Sequence, residues 1–136
     1  DSGANLTVTS DNICQFAFMG AKYMEKIYGI DRPRVGLLNN GTEYNKGNML
    51  QIESYQMLSE SGLDFVGNVE AKAVPFGVCD VLVTDGYTGN IFLKSVEGMG
   101  KFLMKTVFDG EKITLEWYAF EKSMAYAPFL CYNRNK

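Results

Sequence analysis

The sequence predicts an α/β fold, with an open, mostly parallel sheet and helices on both of its faces (three layers, α/β/α). Three short apolar runs, at residues 35–38, 63–67 and 81–83, have the pattern of buried strands. Small polar residues follow each run, and segments with helical spacing alternate with the runs. This alternation indicates a parallel sheet. The length of 136 residues suits one domain, so residues 1–136 are predicted to form a single α/β domain.

The first two helices have recognisable ends. The first is predicted to start at a cap formed by Ser10 or Asp11 and to stop at Gly29, with one apolar face at spacings of three and four. The second is predicted to run roughly over residues 48–60 and to stop at Gly62. Both helices precede or follow a strand run, as the fold class requires.

The rest of the chain is less regular. Residues 71–78 are a connector or a weak helix, and the pattern does not decide between them. A third helix is predicted to open at Gly89 and to continue as an apolar helix through residues 102–108, until residues 109–110 break it. Residues 127–130 are predicted to be extended.

Composition excludes several classes of function. The net charge of −3 and the absence of a lysine-arginine cluster argue against a nucleic-acid surface. No run reaches membrane-spanning length, and the start does not resemble a signal peptide. With no histidine, Ser-His and Cys-His nucleophilic chemistry within this chain is excluded. The three cysteines lack metal spacing and are expected to be reduced, mostly buried thiols of a cytoplasmic protein, and no metal site is expected.

Two turns with the same chemistry follow two of the predicted strands. Each has a small polar turn, a glycine, and a lysine and an asparagine near a helix start. Because the carboxyl ends of parallel strands share one edge of a sheet, the two turns are expected to converge on one crevice. The unpaired N–H groups of a helix start can hold an anion there, although an ordinary βα connection is an equally favoured interpretation. The candidate residues are Asn39, Lys46, Gly47, Asn48, Asp85, Gly86, Asn90 and Lys94.

Six stretches of the chain have the order of a known family. They are DSGAN (residues 1–5), QFAFMG (15–20), PRVGLLNNGTEYNKGN (33–48), FVGNVE (65–70), DVLVTDGYTGNIFLK (80–94) and EG (97–98). Together they resemble the PlsX-type phosphate acyltransferases (acyl-acyl-carrier-protein:phosphate acyltransferases), over roughly the first three-quarters of the chain. The family is longer, with a glycine- and aspartate-rich motif upstream and a longer helical segment after the EG motif. The chain is therefore expected to be the C-terminal portion of such an enzyme, with a segment missing near residues 108–110, or a shortened homologue.

The resemblance implies a fold and a reaction. The fold is related to the isocitrate dehydrogenase and phosphotransacetylase-like architecture. The reaction moves a fatty acyl group from acyl-acyl-carrier-protein to inorganic phosphate and forms acyl phosphate for phospholipid synthesis, without a cofactor. Since phosphate is itself a nucleophile, catalysis is expected to depend on positioning and on stabilisation of the oxyanion at the thioester carbon.

Residue type and the matching motifs suggest roles at the first turn. Lys46 is the leading catalytic and phosphate-binding candidate, together with the N–H groups of Gly47 and Asn48. Asn39, assigned as catalytic, and Asn5, assigned to substrate binding, are uncharged donors for phosphate or for the thioester carbonyl.

Roles at the second turn are less specific. Asp85 is assigned as catalytic, either orienting a donor or accepting a proton from phosphate; capping of its turn is the structural alternative. Gly86, Asn90 and Lys94 are assigned to substrate and phosphate binding. Asn90 is otherwise helix-opening chemistry, and Lys94 is otherwise a surface lysine.

The resemblance also implies partners. Acylated acyl carrier protein and inorganic phosphate are the substrates, and the family forms homodimers in the cytoplasm that touch the cytoplasmic face of the membrane. The region expected to make that membrane contact is residues 102–118. Two alternatives stay open: a phosphotransacetylase-like enzyme, and a truncated, non-catalytic homologue that acts as a binding or dimerisation module. A dehydrogenase is disfavoured because no GxGxxG fingerprint is present.

Overall fold

The computed structural model describes residues 1–107 and 130–131. Its elements are α1 (Ser10–Tyr28), β1 (Arg34–Asn39), α2 (Met49–Glu60), β2 (Asp64–Glu70), a 3₁₀ helix (Ala71–Phe76), β3 (Val81–Val83), α3 (Gly86–Val107) and β4 (Leu130–Cys131). The strand order is β2-β1-β3-β4, with β1 parallel to both β2 and β3 and β4 antiparallel to β3. The predicted α/β fold is confirmed. The predictions for residues 108–129, including the missing segment near residues 108–110, lie outside the described residues.

One face of the sheet is covered by α1 and α2. Val35 and Leu37 of β1 point to this face, and so do the first and last residues of β3, as the two-residue period of a strand requires. They form one buried cluster, whose members are Ile13, Ala17, Ala21, Met24, Val35, Leu37, Leu58, Val81 and Val83. Gly20 lets α1 lie close to the sheet, since a Cβ there would be 2.6 Å from Val81 Cγ1. Each fully buried aliphatic side chain contributes about 1.5–3 kcal/mol.

The opposite face carries a second, smaller cluster. Its buried members are Leu38, Val69, Cys79 and Leu82. Residues of the 3₁₀ helix and Phe92 of α3 pack against them. Helices therefore flank both faces of the sheet, which makes the three layers predicted from the sequence.

Two helix starts differ from the predicted ones. The cap of α1 is Thr9 rather than Ser10 or Asp11: its hydroxyl accepts the Asn12 N–H, and the Asn12 side chain accepts the Thr9 N–H. The third helix starts at Gly86, three residues before the predicted Gly89. The segment that was expected to be a turn is its first helical turn.

The strand β2 is longer than predicted and reaches Glu70. Its register with β1 shifts between Val35 and Gly36, so one residue of β2 is left over at a bulge. Gly67, at φ 92°, lies at this irregularity. The 3₁₀ helix that follows settles the open interpretation of residues 71–78 in favour of a short helix.

The amino ends of β1 and β3 are joined by an ion pair. Arg34 donates through Nε and its backbone N–H to Asp80 Oδ2 (2.9 and 2.8 Å) and through Nη2 to Oδ1 (2.9 Å). These bonds raise the pKa of Arg34. The guanidinium also donates to the carbonyls of Gly77 and Val78. This edge of the sheet is therefore held by structural bonds, and the carboxyl edge is left for a site.

Candidate active site

A cleft of about 770 Å³ lies at the carboxyl end of β1, between the loop that follows it and α3. It is lined by Leu38, Asn39, Asn40, Gly47, Asn48, Gln51, Ala71, Thr88, Ile91, Phe92 and Ser95. The loop after β1 and the first turns of α3 thus face one crevice. None of these lining residues is charged, so the described walls offer apolar surface and neutral hydrogen-bond donors.

Gly47 brings the backbone to the surface of the cleft. Its φ of 89° is one that L side chains rarely adopt, and a Cβ there would be 2.6 Å from Gln51 Cβ and 2.8 Å from Asn39 Oδ1. Its N–H has no hydrogen-bond partner among the described residues. Glycine is therefore favoured by the conformation, and the exposed residue keeps one amide donor without a partner among the described residues.

Asn39 holds the loop that contains Gly47. Its Nδ2 donates to the Lys46 carbonyl (3.0 Å), and its Oδ1 accepts the Asn40 N–H (2.8 Å). Since a carboxamide nitrogen carries two hydrogens, one N–H of Asn39 remains for a ligand. The catalytic role assigned to Asn39 stays a prediction, and the positioning role is visible in these bonds.

Lys46 lies beside the cleft rather than in its lining. Its side chain is exposed, and its Cγ would be 2.8 Å from a Cβ on Gly41. It forms no salt bridge within residues 1–107. Since Lys46 directly precedes Gly47 of the lining and its ammonium has no ion-pair partner among the described residues, it is available to an anion.

The start of α2 is capped by its own side chains. Asn48 Oδ1 accepts the Leu50 N–H (2.8 Å), and the Asn48 N–H donates to Gln51 Oε1 (3.3 Å). The N–H of Asn48, expected to bind phosphate, is thus engaged within the protein. Of the two amides expected at this helix start, that of Gly47 is the one without a hydrogen-bond partner among the described residues.

The start of α3 is capped too, by a segment that the sequence did not place there. In the N-terminal segment (residues 1–5), the Asp1 carboxylate accepts hydrogen bonds from the backbone N–H groups of the next turn and from Asn5 Nδ2. The Asn5 carbonyl accepts the Gly86 N–H (2.9 Å), and the Asp1 nitrogen donates to the Thr84 carbonyl (3.0 Å). A Cβ on Gly89 would be 1.9 Å from the Asp1 carbonyl oxygen.

The N-terminal segment gathers a second group of predicted residues on another side of α3. Asn5, Gly86 and Asn90 lie here, with the Asn90 side chain 3.5 Å from the position of a Cβ on Gly3. None of the three belongs to the cleft lining described above. The structure therefore separates the predicted site residues into a cleft group and an N-terminal-segment group.

Asp85 and Lys94 have structural partners. Asp85 is 8% exposed, and its Oδ1 accepts the Thr88 N–H (2.7 Å), which is the capping arrangement. Lys94 forms an ion pair with the buried Glu97 (2.9 Å). The structural alternatives for both residues are therefore realised in the fold, and their substrate roles stay predictions.

Comparison with known proteins identifies the family. A family model described as "Fatty acid synthesis protein" matches residues 1–120. The chain belongs to this family. It is 54% identical over 98 residues to the phosphate acyltransferase of Anoxybacillus flavithermus, a match that covers 72% of this chain and 30% of that protein. It is 53% identical over 98 residues to that of a Geobacillus species, covering 72% and 30%.

A match with a longer reach is the phosphate acyltransferase of Lactobacillus delbrueckii subsp. bulgaricus, 47% identical over 110 residues, with 81% of this chain and 33% of that protein covered. The resemblance to phosphate acyltransferases found in the sequence is confirmed. The chain spans about 30% of the length of the curated relatives it matches.

Four polar residues that line the cleft were not among the candidates predicted from the sequence: Asn40, Gln51, Thr88 and Ser95. The Thr88 hydroxyl makes no hydrogen bond within residues 1–107. Thr88 lies on one helical face with Ile91, Phe92 and Ser95, at spacings of three and four residues. A helix predicted to begin at Gly86 would have placed Thr88 on this face. Ser95 is less available, because its hydroxyl donates to the Ile91 carbonyl.

Residues 1–107 and 130–131 contain no group of three or more potential metal-ligating side chains. Within the same residues, no helix has the length and hydropathy needed to cross a bilayer.

Proposed function

We propose that this chain carries the phosphate-binding part of an enzyme that transfers a fatty acyl group from acyl-acyl-carrier-protein to inorganic phosphate. The observation that supports this most strongly is the cleft itself. It combines apolar walls with the Gly47 amide, and the Lys46 ammonium stands beside it; within residues 1–107 neither group has a partner. An acyl thioester needs the first feature and a phosphate dianion needs the other two.

The proposed reaction forms one bond and breaks one. A phosphate oxygen attacks the thioester carbonyl carbon, a C–O bond forms, and the C–S bond to the carrier's thiol breaks. The product is acyl phosphate, and the thiolate released takes up a proton. Lys46 and the Gly47 amide would hold phosphate, and neutral donors such as Thr88 and Gln51 would stabilise the developing oxyanion.

The partners proposed are acylated acyl carrier protein, inorganic phosphate and a second copy of the chain in a homodimer. Exposed apolar residues on α1 and α3 support an interface or a contact with the cytoplasmic face of the membrane. They include Phe18, Met19, Met99, Phe102 and Leu103. A cytoplasmic location follows from this proposal. The alternative is a non-catalytic binding or dimerisation module, which would use the same exposed apolar residues.

A chimera tests the proposal on a complete enzyme. The matching 98-residue segment of the Anoxybacillus flavithermus phosphate acyltransferase is replaced by that of this chain, and acyl phosphate is trapped as the hydroxamate. We expect activity within about tenfold of the parent, and a loss of about 10²–10³ in kcat/KM for Lys46→Ala, because a charge contact to the reacting group is removed. Lys22→Ala is the matched control, an exposed lysine on α1 that pairs with Glu25.

Two results would contradict the proposal. A folded but inactive chimera would favour the non-catalytic module. An active chimera in which Lys46→Ala behaves as Lys22→Ala would show that phosphate is bound elsewhere.

A further inference from the structure

The loop that carries Lys46 and Gly47 is held from a neighbouring strand. Asn68 of β2 donates through Nδ2 to the Glu43 carbonyl (2.7 Å), in the middle of the loop at residues 40–47. The same carbonyl accepts the Lys46 N–H (3.1 Å). One oxygen atom therefore ties the backbone of Lys46 to the sheet through Asn68.

The bulge in β2 places Asn68 where it can make this bond. Up to Phe65 the strand pairs residue by residue with β1, and after the register shift Asn68 pairs with Leu37. Leu37 points to the face covered by α1 and α2, and Phe65 packs on that face as well. Without the bulge, the period of two would place Phe65 and Asn68 on opposite faces. The irregular residue in β2 thus directs a carboxamide toward the loop.

A buried carboxamide at position 68 lowers the free energy of unfolding. It is 6% exposed, and its Oδ1 is buried without a hydrogen-bond partner among the described residues. A buried, unpaired oxygen opposes folding, so an apolar side chain of similar size would suit the core at least as well. Within residues 1–107, the bond to Glu43 is the one stabilising contact of the Asn68 side chain that an apolar residue could not supply.

A second carboxamide acts on the same loop. Asn39, at the end of β1, donates to the Lys46 carbonyl. Asn68 donates to the Glu43 carbonyl, which also accepts the Lys46 N–H. Both sides of the Lys46 residue are thus fixed by amide side chains at the carboxyl ends of adjacent strands. Such pre-organisation reduces the ordering that a bound anion would otherwise require.

We propose that Asn68 is a positioning residue, which holds the 40–47 loop through the Glu43 carbonyl so that Lys46 and Gly47 are set for an anion. The anion is inorganic phosphate if the proposed function holds, and the proposal rests on that function only for the identity of the anion. Asn68 itself is not among the residues that line the cleft.

Amide hydrogen exchange on the 136-residue chain tests the holding role without reference to activity. In Asn68→Ala, we expect exchange of the Lys46 amide and its loop neighbours to be about tenfold faster, since a single net hydrogen bond is of that order. Exchange in α1 and β3 should stay unchanged. Ser54→Ala is the matched control, because Ser54 also buries a partnerless oxygen but lies in α2 away from the loop.

The same variants are titrated with inorganic phosphate. Asn68→Ala should weaken binding about tenfold, and Ser54→Ala should not change it. A chain that binds no phosphate in any form, yet shows the expected exchange, would overturn the proposed function and leave the holding role in place. Loosening of the loop with unchanged phosphate affinity would overturn the positioning role.

Two other results would overturn the proposal directly. One is unchanged exchange of the loop in Asn68→Ala, and the other is an equal increase throughout the chain, which a merely structural role would produce. If Asn68→Ala does not fold, the wild-type protein decides. A Lys46 amide that exchanges as fast as in an unstructured peptide contradicts the hold, and a protected one supports it.

Discussion

Gly47→Ala is the substitution whose effect the site geometry specifies most closely. An alanine at φ 89° carries a backbone cost of about 1–2 kcal/mol. Its Cβ would also be 2.6 Å from Gln51 Cβ and 2.8 Å from Asn39 Oδ1, and relief of such overpacking costs about 1–3 kcal/mol. The free energy of unfolding should therefore fall by about 2–5 kcal/mol.

Gly62→Ala separates the two contributions. Gly62 also has a positive φ of 78°, but nothing lies within 4 Å of a Cβ there. This control should lose only the backbone contribution, about 1–2 kcal/mol. The difference between the two variants isolates the crowding at the cleft.

Urea unfolding followed by circular dichroism measures both variants, and titration with inorganic phosphate measures the site. We expect Gly47→Ala to be less stable than Gly62→Ala and to bind phosphate at least about tenfold more weakly, because the crowded Asn39 and Gln51 must move. Equal stabilities together with wild-type phosphate affinity in Gly47→Ala would refute the reasoning.

Predictions for four further substitutions concern packing and charge. Gly89→Ala should displace the N-terminal segment, so that hydrogen exchange of the Gly86 amide, which bonds to the Asn5 carbonyl, becomes faster. Gly98→Ala has open space around its Cβ and should stabilise α3 by about 0.5–1 kcal/mol, which urea unfolding measures. Arg34→Ala should lower the free energy of unfolding by about 2–4 kcal/mol, because Asp80 loses the guanidinium, and unfolding no easier than in wild type would contradict this. Burial raises the pKa of Cys79 to about 11. Between about pH 9 and 11 only the unfolded chain loses the thiol proton, so the free energy of unfolding should fall as the pH rises through this range. Cys79→Ala should reduce this pH dependence in urea unfolding measured at several pH values.

Much of the fold could be predicted from local pattern. The runs at residues 35–38 and 81–83 became β1 and β3 because continuous apolar runs suit strands buried on both faces. Gly29 and Gly62 follow the helices as expected, both at positive φ, where glycine has no Cβ penalty. These features depend on neighbours in sequence.

The predicted starts of α1 and α3 were wrong, because they depend on competing capping residues or on partners distant in sequence. Thr9, Ser10 and Asp11 are all good caps, and the reciprocal bond with Asn12 selects Thr9. The early start of α3 is stabilised by the Asn5 carbonyl, more than 80 residues away in the chain. No local pattern encodes such a contact.

The candidate site was predictable as a place more than as a set of contacts. The sequence directs attention to the turns after β1 and β3, and the cleft lies between the loop after β1 and the helix α3 that follows β3. Thr88 was missed because the third helix was predicted to begin at Gly89, one residue after it. Asn68 was missed because the bulge in β2 places its side chain on the opposite face of the sheet from the one that strict alternation predicts. Both depend on backbone geometry that a period of two or of 3.6 does not report.

The most direct test of the central claim is a titration of the isotopically labelled chain with inorganic phosphate, followed by amide chemical shifts, with chloride at equal ionic strength as control. We expect saturable shifts at Gly47 and Thr88 in the cleft, and none at Arg34 on the opposite edge of the sheet. Shifts confined to the edge around Arg34, or no saturable shift at Gly47, would contradict a phosphate site at the carboxyl edge.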